Sequence, residues 1–130
     1  MTKSSHTVKL RVRYDECDPM GLVHHSNYFK YFEITRIDLF RASGGSYLEF
    51  EASGLFVVVA KAECIFKMPA KYDDELEIKV TVKKQTEAKI IQSYSVHRGD
   101  DLLVEATITL AVIDLQGIPQ RIPQCLRVSE

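Results

Sequence analysis

Apolar and polar side chains alternate in the first patterned segment of the chain, residues 7–14. A period of two places alternate side chains on opposite faces of an extended backbone, so this segment is predicted to be a β-strand. One face carries lysine and arginine. The other face, which we expect to be buried, carries Val8, Leu10, Val12 and Tyr14. Pro19 and Gly21 then end the pattern.

The next segment, residues 27–42, has a different period. Its apolar residues recur at steps of three and four, the spacing of one face of an α-helix. We expect Ser26 or Asn27 to cap the helix, because either side chain can accept a hydrogen bond from the free amides of the first turn. Gly44 and Gly45 suit the left-handed turn that ends a helix. The pattern predicts one long amphipathic helix.

Four apolar segments separated by short polar connections follow the helix. They are predicted to be strands at residues 56–68, 75–86, 90–98 and 102–114, and Gly99-Asp100-Asp101 joins the last two as a hairpin. Strands joined by tight turns form antiparallel sheets, and the helix must lay its apolar face on the sheet. We therefore predict a single α+β domain, residues 1–130, in which a curved antiparallel sheet of five strands wraps around one long central helix. Residues 1–5 are expected to be disordered.

A single helix covers only part of a five-stranded sheet. Uncovered faces and free strand edges favour association with further copies of the chain. We expect a homodimer or a homotetramer.

The composition excludes several classes of protein. Seventeen basic and eighteen acidic residues leave a formal charge of −1, which does not favour nucleic-acid binding. No stretch approaches the roughly 20 apolar residues of a membrane span. The N-terminus lacks the apolar run of a signal peptide, so a cytoplasmic location is expected. The three cysteines lie far apart without a CxxC pair, and we interpret them as reduced thiols rather than disulfides or zinc ligands.

Reactive groups concentrate between the first strand and the helix. Residues 14–28 contain three carboxylates, two histidines and a thiol. A helix N-terminus presents unpaired N–H groups that suit an oxyanion or a polarised carbonyl, and a carboxylate opposite it can act as base or nucleophile. Continued alternation from Tyr14 would place Glu16 and Asp18 on the buried face. The alternative is that Asp18, which precedes Pro-Met-Gly, merely forms a turn.

The sequence YDECDPMGLVHHSNY at 14–28, followed by Tyr31-Phe32-Glu33 and Arg36, resembles the signature of the hotdog-fold acyl-CoA thioesterases. It is most similar to the 4-hydroxybenzoyl-CoA thioesterase group and its YbgC-like relatives. The resemblance covers roughly residues 8–123. It implies a hotdog fold and an enzyme that hydrolyses an acyl-CoA thioester, with coenzyme A as part of the substrate and no further cofactor.

The resemblance also implies roles for individual residues. Asp18 matches the catalytic carboxylate, acting either as nucleophile or as base for water. The backbone amide of His25 matches the group that polarises the thioester carbonyl. Tyr14 and the His25 side chain match residues found in YbgC-like members, and we count both as catalytic candidates. Further candidates for substrate binding are Gly21 and Asn27 in the motif, together with Val58, Val59 and Ala60. These three residues would either line the acyl pocket of a neighbouring subunit, as the resemblance implies, or simply form part of an ordinary central strand.

Other residues in and near the motif admit simpler interpretations. Adjacent His24 and His25 lack a third ligand at metal-binding spacing, so no metal site is predicted. Cys17 lacks a basic partner and is interpreted as a buried thiol. Glu33 and Arg36 favour an ion pair on the helix over a role in the site. Possible contacts for the CoA phosphates, each of which is more simply a surface charge, are Lys61, Lys67, Lys71, Arg98 and Arg121.

Two other functions compete with hydrolysis. One is a non-catalytic acyl-CoA-binding module on the same fold, because a fold does not fix a function. The other is a hydratase or dehydratase, which would need a different acid/base pair. Release of CoA distinguishes hydrolysis from binding alone.

Overall fold

The computed structural model describes residues 2–129 and contains one long helix, one short helix and six strands within that range. Two single turns of 3₁₀-helix lie at Tyr14–Glu16 and Gln124–Leu126. In chain order, the other elements are β1 (Ser5–Arg11), α1 (His25–Ala42), α2 (Tyr47–Ala52), β2 (Leu55–Phe66), β3 (Glu75–Gln85), β4 (Ile90–Arg98), β5 (Asp101–Asp114) and β6 (Pro119–Gln120).

The strands form one antiparallel sheet in the order β1-β3-β4-β5-β2, and the two-residue strand β6 pairs with β5. This arrangement, with α1 packed against the sheet, confirms the predicted α+β fold. The β4–β5 hairpin turns at Gly99, whose φ of 58° lies in the left-handed region that glycine adopts at little cost. β1 and β2 are the two edges among the five long strands.

One face of the sheet and one face of α1 make the core. In β3, Leu76, Ile78 and Val80 are completely buried and alternate with exposed charged residues. From α1, Tyr31 and Phe32 are buried against the sheet, and Phe32 packs on Tyr94 of β4. Burial of each large apolar side chain contributes about 1.5–3 kcal/mol. This packing fixes the position of α1 and therefore of its first turn.

The prediction that the first strand extends to Tyr14 is wrong. β1 ends at Arg11, and after Val12 and Arg13 the chain enters the 3₁₀ turn Tyr14–Glu16. Val12 is buried, but Tyr14 is 80% exposed, so the expected buried face does not continue to Tyr14.

The start of the helix also differs from the prediction. α1 begins at His25, and its N-cap is His24, whose Nδ1 accepts a hydrogen bond from the Ser26 amide at 3.3 Å. The Asn27 side chain is not a cap. It donates instead to the Glu16 carbonyl at 2.7 Å.

The N-terminal segment at 1–5 was expected to be disordered. Of these residues, Met1 lies outside the described range, whereas Thr2 is buried and donates through Oγ1 to the Cys125 carbonyl at 2.9 Å. Ser5 is already the first residue of β1. Thr2 is thus held by contact with the far end of the chain, which no local pattern reveals.

No helix among residues 2–129 is long and apolar enough to cross a membrane. The expected cytoplasmic location stays a prediction.

Candidate active site

A cleft of about 330 Å³ opens where three parts of the fold meet. Asp18, Leu22 and Val23 come from the loop that precedes α1, and His25 and Tyr28 come from the first turn of α1. The opposite wall is formed by the end of β2 and the residues that follow it, namely Phe66, Lys67, Met68 and Pro69. The walls combine apolar side chains with the polar side chains of His25 and Lys67, and the carboxylate of Asp18 is the acidic group among them.

The loop holds Asp18 by one of its two carboxylate oxygens. Oδ1 accepts hydrogen bonds from the amides of Met20 at 2.9 Å and Leu22 at 3.2 Å. The Asp18 carbonyl accepts from the Gly21 amide at 2.9 Å, and the Gly21 φ of 80° requires glycine at this turn. Within residues 2–129, Oδ2 has no hydrogen-bond partner. The turn therefore fixes one oxygen and leaves the other available.

The first turn of α1, which contributes His25 to the lining of the same cleft, has an unpaired donor. The amides of Ser26 and Asn27 bond to the side chain and the carbonyl of His24. The His25 amide has no acceptor in the described part of the chain. At a helix N-terminus such an amide carries partial positive charge, which favours a carbonyl or an oxyanion. Asp18 and His25 therefore give the cleft an acceptor and a donor of complementary character.

Aromatic rings line the side of the cleft next to the helix. The His25 ring lies 4.2 Å from that of His24 and 6.5 Å from that of Phe66, between centroids. The Tyr28 ring lies 5.6 Å from Phe66, and burial raises the pKa of Tyr28. Neither Tyr28 nor Phe66 was among the site residues predicted from the sequence. An apolar residue near the end of a strand gave no signal that it would face the helix start.

The other predicted site residues do not enter this cleft within one chain. Tyr14 packs edge-on against Tyr72, with ring centroids 5.5 Å apart. Asn27 is buried, and its side chain bonds to the loop as described above. Val58, Val59 and Ala60 lie in the middle of the edge strand β2, at a register shift between Val59 and Lys61. Their predicted role requires a second copy of the chain.

Cys17 does not have the environment of a nucleophile. Burial raises the pKa of its thiol, and the neighbouring carboxylates of Asp18 and Glu16 raise it further. The thiol is therefore protonated at neutral pH, and only the thiolate is strongly nucleophilic.

Glu33 and Arg36 approach each other to 4.0 Å and do not line the cleft, which favours the ion-pair interpretation.

Among the proposed phosphate contacts, Lys67 lies in the cleft wall, and its Nζ is 3.5 Å from Glu105. The Lys71 ammonium makes no ion pair with any residue from 2 to 129, and its backbone bridges to Leu22 of the cleft. The other three cations have acidic partners: Arg98 lies 2.8 Å from Asp74, Lys61 lies 2.9 Å from Glu63, and Arg121 lies 3.3 Å from Glu87. Lys67 and Lys71 are the two of these five cations that lie beside the cleft, and Lys71 is the one of the five whose side chain has no acidic partner among residues 2–129.

Comparison with known proteins finds thioesterases among the relatives of this chain. The YbgC protein of Escherichia coli O6:H1, named an acyl-CoA thioester hydrolase, is 26% identical over 119 residues, which cover 90% of this chain and 89% of that protein. The 4-hydroxybenzoyl-CoA thioesterase of Pseudomonas sp. strain CBS-3 is 29% identical over 77% of this chain and 76% of that protein. The crystal structure of a probable thioesterase from Bartonella henselae is 31% identical, has a TM-score of 0.87, and is matched over 92% of this chain and 99% of that one.

These likenesses confirm the predicted resemblance and the hotdog fold. A family model described as the thioesterase-like superfamily matches residues 12–128. The chain belongs to the thioesterase-like superfamily.

Proposed function

We propose that the protein hydrolyses an acyl-CoA thioester to a free acid and CoA, with Asp18 as the catalytic carboxylate and the His25 amide as the group that polarises the carbonyl. One observation carries this proposal: Asp18, whose Oδ2 is free, and His25, whose backbone amide is unpaired, both line the same cleft. Relatives named as acyl-CoA thioester hydrolases support it.

Both chemical routes open to Asp18 end in the same products. In one, Oδ2 attacks the carbonyl carbon, the C–S bond breaks, CoA leaves as thiolate, and water then hydrolyses the mixed anhydride. In the other, Asp18 takes a proton from water, the hydroxide attacks, and the proton passes to the departing sulfur. In either route the carbonyl oxygen gains negative charge, which a preorganised amide stabilises. CoA is part of the substrate, and the proposed reaction needs no other cofactor.

A homodimer formed through β2 would complete the site. β2 pairs with β5 on one side only, and its exposed residues include Val59 (48%) and Ile65 (60%). A free apolar edge of this kind tends to pair with another strand. Antiparallel pairing of two β2 strands would bring Val58, Val59 and Ala60 of one copy towards the cleft of the other. Sedimentation equilibrium tests this: Val59→Lys should yield monomers at concentrations where the parent associates. A monomeric parent protein would contradict the dimer.

The test of the proposed activity is release of free thiol from a panel of aromatic and of short and long aliphatic acyl-CoAs. Asp18→Asn should lower turnover at least about a hundredfold, the lower end of the effect of a positioned base or nucleophile. Asp15→Asn is the matched control, because Asp15 is a neighbouring carboxylate that is 77% exposed. Saturable binding without thiol release by the parent protein would favour the non-catalytic alternative. Equal turnover in both variants would remove Asp18 from the mechanism.

A further inference from the structure

The carboxylate of Glu16 is held inside the loop that carries Asp18. Its side chain is only 14% exposed. Oε1 accepts hydrogen bonds from the Arg13 amide at 2.7 Å and from the Tyr31 hydroxyl at 3.0 Å. A charged acceptor makes such bonds shorter and roughly twice as strong as neutral ones. Burial and the adjacent Glu16 carboxylate both raise the pKa of Tyr31, so the phenol stays protonated and remains a donor.

The main chain of Glu16 makes further bonds to the start of the helix. Its carbonyl accepts from the Asn27 side chain at 2.7 Å and from the His24 amide at 3.0 Å. The Glu16 carbonyl is therefore bonded to the N-cap and the first turn of α1, and the Glu16 carboxylate is bonded to the second turn.

These bonds join the loop that carries Asp18 to the start of α1, which carries His25. Asp18 lies two residues after Glu16 on the loop, and His25 directly follows His24 at the start of the helix. The distance between the attacking carboxylate and the polarising amide depends on how the loop sits on α1. A displacement of about 1 Å between reacting groups can lower a rate about a hundredfold.

We propose that Glu16 is a positioning residue that sets the separation of Asp18 from the His25 amide by tying the catalytic loop to the first two turns of α1. It touches no reacting atom and acts through the placement of Asp18. This inference rests on the proposed function, and no sequence motif assigned a role to this residue.

Turnover measurements on three variants test the proposal. Glu16→Ala removes the acceptor and should lower kcat about a hundredfold with little change in KM. Glu16→Gln keeps an oxygen that can accept both bonds and should lose less than about tenfold, since neutral bonds are about half as strong. Tyr31→Phe removes one of the two bonds and should fall between them. The matched control is Asp38→Ala, because Asp38 also ties α1 to another segment, through His6 at 2.8 Å, but lies far along the helix from the cleft.

Two outcomes would overturn the proposal. One is an unchanged kcat in Glu16→Ala. The other is that Glu16→Ala and Asp38→Ala lose kcat in the same proportion to the fall in their melting temperatures. That result would show that Glu16 has only a structural role. If Glu16→Ala fails to fold, the ranking of Glu16→Gln and Tyr31→Phe decides instead.

A second readout separates this inference from the proposed function. Amide hydrogen exchange at residue 18 and at residues 20–24 should speed up in Glu16→Ala and not in Asp38→Ala, whether or not the protein hydrolyses thioesters. A parent protein that releases no thiol would end the proposed function, while unchanged exchange in that loop would end the role of Glu16.

Discussion

The two ends of α1 are built in opposite ways. At its N-terminal end, the His25 amide and Asp18 Oδ2 have no partners among residues 2–129, and both residues line an open cleft of about 330 Å³. At its C-terminal end, the Ser43 hydroxyl donates to the Leu39 carbonyl at 2.7 Å, and the neighbouring cavity is only about 40 Å³.

This difference indicates that the N-terminal end of α1 serves function and that its C-terminal end serves stability. Buried polar groups are normally paired, because an unpaired group costs free energy. The N-terminal end leaves its groups available for a ligand, whereas the C-terminal end closes on the core. Changes at the first end should therefore lower turnover, and changes at the second should lower the free energy of unfolding.

Leu39→Ala should produce the largest effect on stability. Leu39 is 1% exposed and lines the small cavity, so its truncation enlarges a space that is already present. The expected loss is about 2–5 kcal/mol of unfolding free energy. Urea denaturation measures it, and turnover per folded molecule should stay unchanged. A selective loss of turnover without loss of stability would contradict the division between the two ends.

Two glycines allow a matched comparison of the ends. Gly21 in the catalytic loop and Gly44 after α1 have φ of 80° and 91°, and a Cβ added at either would meet nothing within 4 Å. Alanine at either position should therefore lose a similar amount of stability, about 1–2 kcal/mol, from backbone strain alone. Only Gly21→Ala should also lower turnover, by about tenfold or more, since it displaces Asp18. Equal turnover in the two variants would show that the loop tolerates this displacement.

The smallest expected effect is the pH dependence of the stability that Asp38 contributes in the C-terminal half of α1. The hydrogen bond from His6 lowers the pKa of Asp38, with Arg41 adding to the shift. Because the folded pKa is depressed, this contribution to stability is present above the unfolded value of about 3.9 and is lost as pH falls through the lower folded value. The Asp38 side chain is 40% exposed, so screening limits the contribution to about 0.2–1 kcal/mol.

Unfolding free energies of the parent and Asp38→Asn between pH 7 and pH 3 measure this contribution. The difference in unfolding free energy between the two proteins should be constant near pH 7 and become smaller towards pH 3. A difference in unfolding free energy that grew as pH fell would contradict a lowered pKa of Asp38.

Local patterns predicted the elements of the fold well. The period of two in β3 and the three- and four-residue steps of α1 follow directly from which face is buried. The same logic failed at Tyr14, because a 3₁₀ turn interrupts the alternation after Val12. The N-cap was missed because histidine is seldom chosen for that position over serine or asparagine.

The candidate site was only partly accessible from sequence. Asp18 and His25 were predicted from the resemblance of one motif, and both residues line one cleft. The contact between Glu16 and Tyr31 joins residues fifteen positions apart, with no periodic signal to reveal it. Val58, Val59 and Ala60 belong to a free edge, so their predicted role depends on an assembly that a single chain does not contain.

The central claim is that a thioester carbonyl accepts a hydrogen bond from the amide at the start of α1 while the carboxyl of residue 18 faces it. Isotope-edited infrared spectroscopy of Asp18→Asn, bound to an acyl-CoA carrying ¹³C at the carbonyl, tests this contact directly. The account predicts that the carbonyl stretch moves to lower frequency on binding, because a polarised C=O bond is weaker. The claim would be contradicted if the bound carbonyl absorbed at the same frequency as the unbound thioester in an apolar solvent.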